Sequence, residues 1–279
     1  MERDIHMIKK RRNFYVSQKI WISWLFIAPS LSGTIVFVCI PFSDIIRRSF
    51  FSVAGNEFVW GYHYNVVWHN QAFRLALKNT VLFILIGIPL LMGTSFLTAL
   101  LIQSSSRRTN LYKTTIVLPM AIPTASICLL WKIFFSERGR STAFGVLLFT
   151  FLWKNIGYNM LLWLAGLGEI SDSVYEAAKL DGAGNLAIMR YIVVPELKGT
   201  AGVVFALSVI NGFRIYREAY LIAGSYPHES IYMLQHLFNH WFLDMDIQNM
   251  STAAAIISIG AFLCLFICFL YSKIRKRGE

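Results

Sequence analysis

Six long apolar stretches fill most of this 279-residue chain. An α-helix rises ~1.5 Å per residue, so about 20 apolar residues suffice to cross the ~30 Å hydrocarbon core of a membrane. Charged residues make up only 15% of the chain, which also fits a membrane protein. The sequence therefore predicts an all-α integral membrane protein. Its six predicted spans are residues 20–40, 81–102, 115–135, 143–167, 200–222 and 253–271.

The distribution of lysine and arginine predicts how the spans are oriented. With the amino terminus, the second and fourth loops and the carboxyl terminus in the cytoplasm, that side holds 16 of the 26 basic residues and the outer side holds 6. Cytoplasmic loops of membrane proteins carry such an excess of positive charge. Residues 1–19 and 272–279 are therefore predicted to be basic cytoplasmic tails.

The first apolar run follows the basic segment "KKRRN", which is how a secretory signal begins. The run is too long for a signal core, however, and no small-residue cleavage site follows it. We expect it to be an uncleaved first span.

The net charge of +11 is explained by this topology and by contact with anionic lipid head groups. No nucleic-acid partner is predicted, because no soluble domain carries a basic and aromatic stripe. The sequence also contains no GxxxxGK[ST], HExxH or GxSxG pattern. The chain itself is therefore predicted to bind no ATP or other cofactor, so energy for any transport must come from a partner.

The most elaborate polar pattern lies between the fourth and fifth spans, in residues 171–197. Ser173 followed by Glu176 has the spacing of a capping box and predicts a helix through "VYEAAKLD". Gly182 and Gly184 interrupt it, and a second helix, "NLAIMRYIVV", is expected to end at Pro195. Three apolar residues of this second helix recur at helical spacing: Leu186, Met189 and Val193.

This polar elbow has two interpretations from the residues alone. Small residues at the bend would let another protein approach closely, while Glu176 and Asp181 could orient it through charge-assisted hydrogen bonds. Alternatively, the glycines serve only the turn and the apolar face rests on lipid, as in many interfacial helices. The small residues at the bend are Ala177, Ala178, Gly182 and Ala183.

The elbow resembles the EAA loop of the membrane subunits of binding-protein-dependent ABC importers. That pattern is Glu-Ala-Ala, three residues, Gly, nine residues, Ile, one residue, Leu-Pro, and Val194 here replaces the leucine. The continuation "AAKLDGA" is similar to the carbohydrate-uptake branch, which includes maltose and glycerol-phosphate permeases. The residues that match in register are Glu176, Ala177, Ala178, Gly182, Ile192 and Pro195.

The resemblance extends along nearly the whole chain. "APSLSGTIVFVCIPFSDIIRRSF" is similar to the family's first span and its exit, "ALKNTVLF" to the start of the second, "VLPMAIPTASICLLWKIFF" to the third and "WKNIGYNMLLWLAGL" to the fourth. Two outer-face features depart from it: a short loop between the third and fourth spans, and "AGSYPHES" where many relatives have a Gly-rich stretch. These departures concern the substrate and the binding protein rather than the class.

The resemblance implies that the elbow is a coupling helix seated in a cytoplasmic ATPase. It implies a bacterial cell-membrane assembly with a second permease subunit, two ATPase subunits that hold ATP and Mg, and an external solute-binding protein that delivers a sugar or oligosaccharide. The coupling residues would be Glu176, Ala177, Ala178, Asp181, Gly182, Ile192 and Pro195.

Polar residues inside the spans are candidates for a substrate path, because ionisable groups are costly there. The fourth span contributes Asn155, Tyr158 and Asn159 beside Trp153 and Lys154. Aromatic and lysine side chains at this position can equally be interfacial anchors. The fifth span contributes three further candidates at helical spacing, Asn211, Arg214 and Glu218.

The fifth-span candidates have an alternative interpretation as well. Arg214 could pair with Glu218 one turn further on, or extend its guanidinium outward to the membrane boundary. In the last outer loop, His236 and His240 are one helical turn apart, with Asp244 and Asp246 beyond. No ligand count supports a metal there, so no metal site is predicted, and an amphipathic helix touching the binding protein is favoured.

Two other classes remain as rivals. An ion-coupled secondary transporter would need an intramembrane carboxylate at the centre of a span and an inverted repeat, and neither pattern is evident. A membrane enzyme acting on lipids would need a cluster of His, Asp or Glu at one membrane face. Only the His/Asp group of the last outer loop could serve it.

Overall fold

The computed structural model describes residues 23–52, 57–104, 109–135 and 142–278. Within these ranges regular secondary structure is helical, apart from an isolated antiparallel bridge between Phe51 and Phe58. The helices are α1 (Ser23–Phe50, with a π-helical turn at Ile35–Cys39), α2 (Tyr62–His69), α3 (Gln71–Gln103), α4 (Thr109–Ala121), α5 (Thr124–Phe135), α6 (Ala143–Gly168), α7 (Asp172–Leu180), α8 (Asn185–Ile188), α9 (Val194–Glu196), α10 (Lys198–Phe213), α11 (Tyr216–Ala223), α12 (Leu234–Leu243) and α13 (Ile247–Gly278).

Among the described residues, four helical segments are long and apolar enough to cross a membrane. They are Ser23–Phe50, Gln71–Gln103, Lys198–Ala223 and Ile247–Cys264. Helix α6 has 26 residues and would extend ~39 Å, which is also sufficient length. Three polar residues, Lys154, Asn155 and Asn159, lie within it. The all-helical membrane architecture is thus confirmed, and the predicted tail 1–19 lies outside the described residues.

The third predicted span is not one continuous helix. Residues 115–135 were expected to form a single segment, but α4 ends at Ala121, α5 begins at Thr124, and the two are bent by 84°. Pro123 explains the break, because proline has no N–H to donate and its ring disfavours the helical conformation of the preceding Ile122. The two halves together are still apolar enough for one span.

The chain divides into two compact units, of which residues 70–240 form the larger. Here α6 packs along α3 and α4, and α10 packs on both α3 and α6. Two glycines on α6 permit close approach. A Cβ on Gly157 would lie 2.4 Å from the Ile116 carbonyl oxygen, and one on Gly166 would lie 2.4 Å from Thr200 Oγ1. Small residues of this kind let membrane helices meet backbone to backbone.

The other unit consists of the described residues up to His69 and from Trp241 onward. Helix α13 packs against α1 and α2, and Gln248 Nε2 donates to the Arg48 carbonyl oxygen at 2.8 Å. Ser49 is fully buried and its hydroxyl lies 2.8 Å from that of Tyr64. Most of α1 is exposed apolar surface, as expected of a helix that faces lipid or another membrane subunit.

Candidate coupling site and substrate path

The polar elbow begins with α7, whose start differs from the prediction. The helix begins at Asp172 with Ser171 as the extended N-cap residue, so Ser173 does not cap it. The Ser173 hydroxyl instead lies 2.9 Å from that of Ser171. Asp172 in the first turn complements the positive end of the helix dipole. The capping-box prediction was therefore wrong by two residues, although the helix it predicted is present.

The turn after α7 depends on Gly182. Its φ is +78°, in the left-handed region that glycine adopts without steric cost. Its N–H donates to the Lys179 carbonyl oxygen at 3.1 Å, while the Ala183 N–H donates to that of Ala178 at 2.9 Å. This pair of bonds is the Schellman motif, which satisfies carbonyl groups at a helix end. The chain therefore turns sharply where the glycine was expected to interrupt the helix.

The second half of the elbow does not end at Pro195 as predicted. After α8, residues Met189–Val193 form a π-helical turn, and Pro195 then lies within α9, which continues to Glu196. Proline is accommodated there because it directly follows the π-helical turn, where the regular α-helical hydrogen bonding is already interrupted. The π-helical turn also changes the helical register. Leu186 is consequently exposed while Val193 is buried, so they do not share one face.

The elbow presents an exposed apolar tip, which we define as Leu180, Leu186 and Tyr191. Leu180 is 89% exposed and Leu186 is 82% exposed, so both side chains are available to contact another molecule. The side chains of Glu176 and Asp181 are also exposed, as is Ala177. Three of the predicted coupling residues are instead partly buried: Ala178, Ile192 and Pro195.

The base of the elbow is firmly attached to the helices that follow and precede it. Ile188, Val193 and Leu197 are buried in one cluster with Trp163 and Leu167 of α6. The close approach of Gly166 to Thr200 joins the end of α6 to the start of α10. A force on the tip would therefore be transmitted to both helices, because a packed cluster of this kind deforms little.

Deep in the larger unit, an ion pair joins two helices. Lys154 Nζ of α6 lies 2.8 Å from Glu218 Oε1 of α11, and their side chains are only 18% and 7% exposed. Lys154 also donates to the hydroxyl of Thr124, the first residue of α5. The Lys154 ammonium group of α6 is therefore bonded to both α5 and α11.

This ion pair contradicts two sequence-based interpretations. Lys154 is not an interfacial anchor, since its ammonium is engaged inside the helix bundle. Arg214 is exposed and Glu218 pairs with Lys154, not with Arg214. Residues 214–215 form a tighter turn between α10 and α11, although Lys198–Ala223 together form one apolar segment.

The other candidate path residues have different environments. Asn159 is fully buried, and its amide donates to Ser208 Oγ at 2.8 Å, which links α6 to α10. Asn155 donates to the Phe151 carbonyl oxygen one turn earlier at 2.8 Å and is half-buried, as is Tyr158. Polar bonds like that of Asn159 hold membrane helices together. The structure therefore separates buried helix contacts from residues that retain accessible polar atoms.

Comparison with known proteins decides the class. Residues 95–277 match the family described as binding-protein-dependent transport system inner membrane component. This chain belongs to that family. The permease is therefore a multi-pass transport subunit of the bacterial inner membrane, and the ion-coupled and lipid-enzyme classes do not apply.

Relatives match over most of the permease. The lactose transport system permease protein LacF of Rhizobium radiobacter is 25% identical over 91% of this chain and 94% of its own. The arabinooligosaccharides transport system permease protein AraP of Bacillus subtilis is 29% identical over 76% of this chain and 74% of its own. The sn-glycerol-3-phosphate transport system permease protein UgpA of Agrobacterium fabrum is 25% identical over 92% of this chain and 95% of its own.

The fold of the permease is also present in a solved structure. A bacterial ABC transporter involved in the import of the acidic polysaccharide alginate contains a chain that superposes with a TM-score of 0.76. The match covers 95% of the permease and 99% of that chain at 17% sequence identity. At this identity the likeness establishes a shared fold.

His236 and His240 are both held by hydrogen bonds to their ring nitrogens. His240 Nε2 lies 2.9 Å from the Ser225 carbonyl oxygen, so this nitrogen carries the proton, and the Tyr232 hydroxyl donates to Nδ1 at 3.0 Å. His236 Nδ1 accepts from the Met233 N–H at 3.1 Å. Burial, and secondarily the nearby His240, lowers the pKa of His236 to about 4. Among the described residues, no group of three or more His, Cys, Asp or Glu could hold a metal ion.

Sequence reasoning missed the roles of Lys154, Thr124 and Ser208. One signal for the first was available. A lysine and a glutamate in different apolar spans must be neutralised, and pairing them with each other is the simplest way to do so. No comparable signal pointed to Ser208 or Thr124, because a single hydroxyl in a span commonly bonds its own helix backbone.

Proposed function

We propose that this permease subunit imports a sugar or oligosaccharide delivered by an external binding protein, and that residues 171–197 couple it to ATP hydrolysis on partner subunits. The exposed apolar tip on a rigidly attached elbow carries the proposal. Such a surface is costly to leave in water, while its base is fixed in the core between α6 and α10. These are the properties that a mechanical joint requires.

The proposed topology has six spans and both termini in the cytoplasm. Its spans are α1, α3, the bent pair α4–α5, α6, the pair α10–α11, and α13. The four clearly apolar segments and the bent pair support five of these, and the length of α6 supports the sixth. The excess of basic residues on the elbow side supports the orientation.

Coupling would depend on contacts between the ATPase and the elbow. The ATPase would bind the tip and the exposed Glu176, Ala177 and Asp181, while Gly182 sets the sharp turn that presents them. Ala178, Ile192 and Pro195 would support this surface from beneath. ATP and Mg would bind to two ATPase subunits, whose closure would shift this chain and a second permease subunit between inward-open and outward-open arrangements.

A carbohydrate cargo is supported by the names of the relatives, which refer to lactose, arabinooligosaccharides and glycerol 3-phosphate. The half-buried Asn155, Tyr158 and Asn211 and the exposed Arg214 keep polar atoms accessible to a hydroxylated substrate. Asn159 and Glu218 we assign to contacts between helices instead, since both are buried and bonded within the bundle.

The decisive test is whether an ATPase subunit co-purifies with this protein from native membranes. Gly182→Asp, which disfavours the left-handed turn, and Glu176→Lys, which reverses an exposed charge, should abolish co-purification and uptake while the protein remains inserted and monodisperse. Glu169→Lys and Gly168→Asp, at exposed positions just before residues 171–197, are the matched controls. If the wild-type protein carries no ATPase, the coupling proposal fails.

A further inference from the structure

An apolar cavity opens between α3, α6 and α10, close to where the elbow joins the membrane-spanning helices. Its volume is about 320 Å³. Six of its lining residues are Met92, Gly93, Phe96, Trp163, Leu197 and Ala201, and Lys198 also lines it. A Cβ placed on Gly93 would meet no atom within 4 Å, so the absence of a side chain there leaves the space open.

The apolar wall of the cavity is about one helical turn long. On α3 it runs from Met92 to Phe96, a span of four residues. At a rise of ~1.5 Å per residue, this wall is ~6 Å long. One leaflet of a ~30 Å hydrocarbon core is ~15 Å thick. The cavity is therefore long enough for part of one acyl chain.

A positive charge marks the shallow end of the cavity. Lys198 is the first residue of α10 and of the apolar segment Lys198–Ala223, so it lies at the membrane boundary. Its side chain is exposed, and within the described part of the chain it forms no ion pair. The acidic neighbour in sequence, Glu196, does not line the cavity. Basic pockets between membrane helices near the cytoplasmic boundary bind anionic lipid head groups.

We propose that this cavity binds an anionic phospholipid, with an acyl chain between α3 and α10 and the head-group phosphate beside the Lys198 ammonium. The lipid would fill a space next to the cluster that fixes the elbow, since Leu197 belongs to both. The inference requires that α10 crosses the membrane, and it is independent of the cargo and of the ATPase.

The test uses the full chain, purified with whatever subunits accompany it and reconstituted in phosphatidylcholine vesicles. Phosphatidylglycerol with a photoreactive diazirine in one acyl chain is added as the probe, and the matching phosphatidylcholine probe is used in parallel. After illumination, mass spectrometry locates the labelled peptides. We expect the anionic probe to label the peptides that contain Gly93–Phe96 and Ala201 more strongly than the zwitterionic probe does.

Two variants separate the head group from the acyl chain. Lys198→Gln should reduce labelling by the anionic probe about fivefold, the loss of one lysine's attraction for an anionic surface. Gly93→Leu fills the open space and should reduce labelling at Ala201 by both probes. Lys78→Gln, at the opposite end of α3, and Gly202→Leu, outside the cavity on α10, are the matched controls and should change neither result.

Two outcomes would overturn the proposal. Equal labelling by both probes that survives Lys198→Gln would mean that the cavity only touches bulk lipid. An unlabelled cavity in the wild-type protein, together with chemical cross-links from Ala201 to a second permease subunit, would mean that a protein surface covers it. Because neither readout measures transport, failure of the coupling proposal would leave this result interpretable.

Discussion

The elbow and the centre of the larger unit use polar residues in opposite ways. In the elbow, Glu176 and Asp181 are exposed and lie near two exposed leucines. In the centre, Lys154, Glu218 and Asn159 are largely or fully buried, and each bonds to a different helix. Both regions stood out in the sequence as polar groups in an apolar chain. Only the exposed set is available to a partner.

The difference shows that a polar residue in a membrane protein has two common explanations, and burial distinguishes them. A buried polar group must be satisfied from within, so it fixes helix packing. An exposed polar group beside exposed apolar side chains offers both orientation and contact area to another molecule. Changes in the centre should therefore alter stability, and changes at the tip should alter association alone.

The largest effect is expected from breaking the ion pair. Lys154→Met leaves Glu218 buried without its partner and should reduce the free energy of unfolding by about 3–5 kcal/mol. The double variant Lys154→Met/Glu218→Met removes both charges and should recover most of that loss. Thermal unfolding of the detergent-purified protein measures both, with the exposed Lys132→Met as control. If the single and double variants were equally destabilised, the unpaired Glu218 carboxylate would not be the cause of the lost stability.

Acidification should lower the stability of residues 224–246, the segment that contains His236, by a slightly smaller amount. Because burial lowers the pKa of His236 to about 4, the folded loop favours the neutral ring. Its contribution, about 3 kcal/mol, is complete above the ordinary histidine pKa of about 6.5 and is lost as the pH falls towards about 4. Tyr216, Tyr232 and His240 surround the ring and supply no carboxylate to stabilise its charged form.

Limited proteolysis of residues 224–246 between about pH 7.5 and about pH 4.5 measures this loss. His236→Asn keeps an acceptor for the Met233 N–H but does not titrate, so its cleavage rate should be nearly independent of pH. A variant as acid-sensitive as the wild-type protein would assign the effect to another group.

A moderate effect is expected where α6 meets α4. Gly157→Ala places a methyl group against the Ile116 backbone, which must move, so we expect a loss of about 1–3 kcal/mol in stability. Gly145→Ala on the same helix meets no atom within 4 Å and should be neutral or slightly stabilising. The difference between the two unfolding temperatures isolates the close approach from helix propensity.

The smallest effect on stability is expected at the tip. Leu180→Asp and Leu186→Asp change exposed side chains and should alter the unfolding free energy by no more than about 0.5 kcal/mol. Both should nevertheless abolish ATPase co-purification, whereas Tyr226→Asp, equally exposed but outside the elbow, should retain it. If the Leu180→Asp and Leu186→Asp variants lost stability but still co-purified with the ATPase, the tip would behave like the buried centre and the contrast between them would be wrong.

The parts of the fold that depend on local pattern were predictable. Apolar length predicted the helices, and the glycine pattern predicted the turn at Gly182, because these features are encoded within a few neighbouring residues. Helix continuity was predicted less well. The break before Pro123 interrupts a segment that stays apolar on both sides, and Pro195 is accommodated by a π-helical turn that apolar periodicity does not reveal.

The sequence by itself determined that this protein spans a membrane, belongs to an importer family and carries an elbow with the EAA pattern, since hydropathy and a spaced motif are local properties. The tertiary structure decided which polar residues face inward. Lys154 and Glu218 are 64 positions apart, and Asn159 and Ser208 are 49 apart. Nothing local specifies which pair meets, because helix packing brings distant residues together and the cost of an unpaired buried group then selects the partner.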